Sequence, residues 1–136
     1  MFTKKFALVI LFAVALLSSC GGGTSLVSIQ VLPVDPNILN NNTVYVTPGG
    51  VVQYQIQGWY SSRTVSTTIP ASQGHWTSTQ PAVATVDGNG LVVSVGPVGV
   101  TTIIATTGGK RSTATFAVCD PTLTFCPPVC DPTSCP

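Results

Sequence analysis

Cysteine has the most chemistry to offer in this chain. Cys20 stands alone near the N-terminus, and Cys119, Cys126, Cys130 and Cys135 crowd the end of the sequence. Four thiolates can hold zinc tetrahedrally, but structural zinc sites draw on closely paired cysteines. Here six, three and four residues intervene between successive cysteines of the tail, which is not that pattern. The tail repeats itself instead: Cys119-Asp120-Pro121-Thr122 returns as Cys130-Asp131-Pro132-Thr133, and each copy closes on a cysteine followed by proline, Cys126 and Cys135. Acid–base chemistry has little material. His75 is the single histidine, Asp35, Asp87, Asp120 and Asp131 are the four acids, and glutamate is absent. No Gly-x-Ser-x-Gly elbow prepares a nucleophile, and no pattern pairs His75 with an aspartate and a serine. Asp87-Gly88-Asn89-Gly90 has the oxygen-rich look of part of a calcium loop, but it lacks the remaining ligands and the closing glutamate, so it reads as a hairpin turn. No catalytic residue, metal site or cofactor is expected, and the chain is not expected to be an enzyme.

The N-terminus is organised for export. Lys4 and Lys5 precede a twelve-residue apolar run, Phe6 to Leu17, and then small residues and Cys20. As a helix that run spans about 18 Å, short of the roughly 30 Å hydrocarbon core of a bilayer, so residues 1–19 read as a cleaved signal peptide and not as a membrane span. Leu17-Ser18-Ser19-Cys20 resembles the bacterial lipobox. The resemblance implies diacylglycerol on the Cys20 thiol, cleavage just before it, and acylation of the new amine, which makes the membrane a partner through a lipid anchor. Two or three acyl chains hold lastingly where one does not. Residues 20–25 then form the lipidated cysteine and a flexible, glycine-rich tether. Gly21 is not the aspartate that retains lipoproteins in the inner membrane of enteric bacteria, which points to the outer membrane of the cell envelope. Outside the cytoplasm thiols are oxidised, so the four tail cysteines of residues 119–136 read as two disulfides. Three pairings are open, and the repeat favours local loops, Cys119 with Cys126 and Cys130 with Cys135. The prolines preclude helix there, and the tail reads as a compact cap or display tip.

Between tether and tail, residues 26–118 read as a single all-β domain. Candidate strands are 26–32, 43–46, 51–59, 75–78, 82–86, 91–95, 101–106 and 112–118, spaced as a sandwich of about seven to eight strands requires. Val52-Gln53-Tyr54-Gln55-Ile56-Gln57 alternates apolar and polar residues, the mark of a strand with one face buried. Pro48-Gly49-Gly50, Asp87-Gly88-Asn89-Gly90, Gly96-Pro97 and Gly108-Gly109 fall between strands, where fixed or positive φ is needed. Only 7% of residues are charged. With Lys4 and Lys5 removed, the cations are Arg63, Lys110 and Arg111, too few and scattered for a phosphate-binding stripe, so nucleic acid is not an expected partner. Threonine supplies the solubility that charge ordinarily gives. Asn41-Asn42-Thr43 fits a glycosylation sequon, a weak signal in an exported bacterial protein.

Trp76-Thr77-Ser78, Pro81-Ala82-Val83-Ala84-Thr85-Val86, Gly90-Leu91-Val92 and Gly99-Val100-Thr101-Thr102-Ile103-Ile104-Ala105-Thr106 together resemble the bacterial Ig-like group 2 domain. Val27 to Val31 and Thr47 to Tyr54 resemble that family's opening strands, and Lys110 to Val118 fits its closing strand. Two departures concern loops: a longer turn at Asp87 to Gly90, and a long stretch from Ser61 to Gly74 in which Arg63 is the single charge. The resemblance implies an immunoglobulin-like sandwich and a structural, adhesive or protein-interaction role at the cell surface, with other envelope or surface proteins as partners. Independently of it, Trp76 opens a strand of a small sandwich and is expected in the structural core. Trp59 and Tyr60, neighbours at a strand end whose side chains alternate in direction, are the candidate binding surface. With the loop 61–74 they define the alternative, a lipoprotein that binds glycans or another small ligand.

Overall fold

The computed structural model describes residues 24–120. The expected signal peptide, Cys20, the glycines of the expected tether, and Cys126, Cys130 and Cys135 lie outside the described residues. Ten strands build the domain: β1 (Leu26–Pro33), β2 (Leu39–Asn40), β3 (Thr43–Val46), β4 (Val51–Tyr60), β5 (Thr67–Ile69), β6 (His75–Ser78), β7 (Ala84–Val86), β8 (Leu91–Ser94), β9 (Gly99–Thr107) and β10 (Lys110–Val118). They form two five-stranded sheets, one ordered β1-β4-β8-β7 with β5 also on β4, the other β2-β3-β10-β9-β6. The chain is therefore an all-β sandwich. Every candidate strand is present, two of them, β3 and β6, with the bounds read from sequence, while β2 and β5 are additional.

Alternation places the core. Val52, Tyr54 and Ile56 point inward from β4 while Gln53, Gln55 and Gln57 point out. From the facing sheet come Val44, Trp76, Ile103, Ala105, Phe116 and Val118, all in one buried cluster. The outer face of β9 and β10 carries Thr102, Thr106, Thr113 and Thr115 in their place. Trp76 is buried in the core, and its Nε1 donates to the Ala71 carbonyl at 2.8 Å. Its ring packs on Gly90, whose φ is +76° and where a Cβ would lie 2.9 Å both from Trp76 Cζ2 and from the Tyr54 carbonyl oxygen. Tyr54 is fully buried and its hydroxyl has no partner among protein atoms, so desolvation drives its pKa well above the ordinary value.

Turn chemistry follows the residues. Asp87 Oδ1 accepts from the backbone N–H of Asn89 and of Leu91, both at 2.8 Å, which closes the β7–β8 connection as an Asx turn. Asn41 and Asn42, at φ 45° and 66°, form the two-residue loop between β2 and β3. The free edge of β1 is sealed across the corner of the sandwich, where the Val31 N–H donates to Ser112 Oγ at 3.1 Å. The other edge strands, β2, β5, β6 and β7, hold two to four residues each, short enough to give another chain little to pair with.

Strand direction sets where the ends emerge. β1 is antiparallel to β4, with Leu26 opposite Tyr60 and Pro33 opposite Tyr54. A tight turn closed by Gly50 N–H to Thr47 O reverses the chain between β3 and β4, and β10 runs parallel to β3. Consequently β1, β3 and β10 share one sense. The described chain enters at one pole and leaves at the other, separated by the length of β10, about 27 Å at about 3.4 Å per residue.

Candidate functional surfaces at the two poles

The entry pole is assembled from the start of β1, the end of β4 and the β9–β10 turn. Ser61 N–H donates to Ser25 O at 3.0 Å, and Leu26 packs on Gly108, 2.9 Å from where a Cβ would be. Trp59 and Tyr60, consecutive on β4, leave on opposite faces. Trp59 stands half-buried on the outer face of its sheet, across from Ser28. Tyr60 lines a recess of about 250 Å³ with Thr24, Arg63 and Thr67, in which Arg63 Nη1 donates to Thr67 Oγ1 at 3.3 Å. The two rings thus do not make one stacking platform. Val65, 69% exposed, projects from the adjoining loop. The stretch 61–74, read from sequence as a loop, contains β5 and a 3-10 turn, Ala71–Gln73, whose first residue accepts the Trp76 indole bond.

The three Lys and Arg residues among the described residues all lie at this pole. Arg63 follows β4, its N–H donating to Tyr60 O, and Lys110 and Arg111 open β10 opposite Thr107 and Thr106. His75 starts β6 opposite Thr106 on the same side, away from Asp35 and Asp120.

The exit pole has another chemistry. Val34, Asp35, Ile38, Val51, Val52 and Gln53 line a groove of about 350 Å³, and Val34 and Val51 are each more than half exposed. Asp35 Oδ1 accepts from Asn37 N–H and shapes the turn between β1 and β2. Cys119 is buried, its N–H donating to Val46 O at 2.7 Å. With Ala117, Tyr45 and Val100 it forms a small second cluster, on the sheet face opposite the core because Phe116 and Val118 alternate inward. Sequence reading missed the groove; its one visible signal was Val34 and Ile38 standing in a loop that otherwise holds Asp35, Pro36 and Asn37. Among the described residues no group of three or more His, Cys, Asp or Glu side chains gathers as a metal site, and no helix is long and apolar enough to cross a membrane.

No family model and no curated protein matches this chain. Among solved structures, the chain is similar to the surface layer protein SbsC, domains 1–6, with a TM-score of 0.46 and 13% sequence identity, covering 71% of this chain and 15% of that one. The chain therefore spans well under a quarter of the length of the solved protein it matches.

Proposed function

We propose that this protein is a non-catalytic, lipid-anchored module of the bacterial envelope, an Ig-like domain of the group 2 kind that stands on the membrane through Cys20 and carries its cysteine-rich tail at the far pole. The carrying observation is the separation of the two ends. A domain whose chain enters at one pole and leaves at the other acts as a spacer between an anchor and whatever follows it. The tail, stapled as Cys119–Cys126 and Cys130–Cys135, is then the part presented to other envelope or surface proteins, and contact is structural or adhesive. The division of Trp59 and Tyr60 between two faces favours this reading over a glycan-binding platform. The deciding experiment is the intact mass of the protein recovered from the membrane fraction, alkylated with and without reduction. Acyl chains on a product beginning at Cys20, with four thiols alkylated only after reduction, are the expected result. An unacylated product overturns the anchor, and thiols that alkylate without reduction overturn the staples.

A further inference from the structure

The charges of the domain are sorted along its long axis. Arg63, Lys110 and Arg111 lie at the entry pole, whereas Asp35 and Asp120 lie at the exit pole and Asp87 sits in the β7–β8 turn between them. The end of β4 at this pole also carries Trp59 and Tyr60, half-buried on its two faces, and the loop beyond it the exposed Val65. Cations beside Trp, Tyr and an exposed aliphatic side chain form the residue set that settles at a lipid–water interface.

We infer that the entry pole is a docking face for an anionic phospholipid surface, and that it holds the sandwich upright on the membrane with the exit pole outward. The inference rests on the anchor reading, because Cys20 is what brings the pole to the bilayer. From Cys20 to Ser25 the chain reaches about 17 Å at most, so the pole stays close to the headgroups, and the surface field there decays over about 8–10 Å. Three cations next to such a surface favour the docked orientation by roughly 100-fold over a free-swinging one. Turned over, the domain would instead bring Asp35 and Asp120 of the exit pole into that field, which repels them. Sorting of charge therefore selects one orientation out of two.

The test uses the acylated protein recovered from membranes and reconstituted into vesicles of phosphatidylcholine alone or with phosphatidylglycerol, each carrying a headgroup spin label. Trp76 is 7% exposed in the core, so quenching by the label reports Trp59. Strong quenching is expected in the anionic vesicles. It should be lost in neutral vesicles, at high salt, and in the triple variant R63Q/K110Q/R111Q, whose unchanged near-ultraviolet circular dichroism verifies its fold. Co-sedimentation with vesicles reads the anchor separately and should be the same throughout. Bound protein whose quenching is equal in neutral and anionic vesicles, or unchanged in the triple variant, overturns the docking face while leaving the anchor standing. Protein that sediments with neither vesicle overturns the anchor and the docked orientation with it.

Discussion

The middle of the sandwich and its poles use residues in opposite ways. In the middle, side chains are fixed by their neighbours: Trp76 is gripped between the Ala71 carbonyl and Gly90, and Tyr54 is enclosed completely. At the poles, Arg63, Val65, Val34 and Val51 stand in solvent on strand ends and the loops beside them. The contrast teaches that stability and contact are separable here. A change in the middle should alter folding and leave the surface of the folded molecules as it was, and a change at a pole should do the reverse.

The largest effect belongs to Trp76. Replacing it with alanine empties the centre of the core and removes the indole bond, and is expected to cost about 3–5 kcal/mol in urea unfolding. Gly90→Ala comes next. Positive φ and the approach of a Cβ to Trp76 and the Tyr54 carbonyl act together, for an expected loss of about 2–3 kcal/mol. Tyr54→Phe should move the other way, by about 1 kcal/mol at neutral pH, because it removes a buried hydroxyl with no partner among protein atoms. The same substitution has a pH signature. The folded pKa of Tyr54 is raised, so the unfolded chain loses its proton first, and stability should fall as pH rises through about 10 and beyond. That alkaline fall should shrink in the phenylalanine variant, as read by unfolding midpoints between pH 8 and pH 11. The smallest effect on stability is predicted for R63Q/K110Q/R111Q, within about 0.5 kcal/mol of the parent. A loss much beyond that would show that the pole also supports the fold and would blur the comparison.

Most strands were legible in the sequence because each buries one face, and period-two alternation such as Val52 to Gln57 writes that burial into neighbouring residues. β2 and β5 were not, since two and three residues carry no period, and Asn41-Asn42 read as part of a sequon before its positive φ values showed a turn. The candidate surface was legible only in pieces. Trp59 and Tyr60 were visible as a pair on alternate faces, but the gathering of Arg63 with Lys110 and Arg111 depends on β4 and β10 meeting the same pole through long-range pairing. Nothing in the 46 residues between Arg63 and Lys110 announces it. The sealing of β1 by Ser112 is of the same kind, a contact across 81 positions.

The shared sense of β1 and β10 also decides how the domain carries force. A pull between the two ends of the described chain acts on the two terminal strands from opposite poles, along their own length. β10 is paired with β9 along all nine of its residues and with β3 over its last four, and β1 with β4 from Leu26 to Pro33. Tension therefore shears these ladders, so that many bonds share the load at once and none is peeled away first. A domain built this way resists tearing along the axis on which its two ends lie.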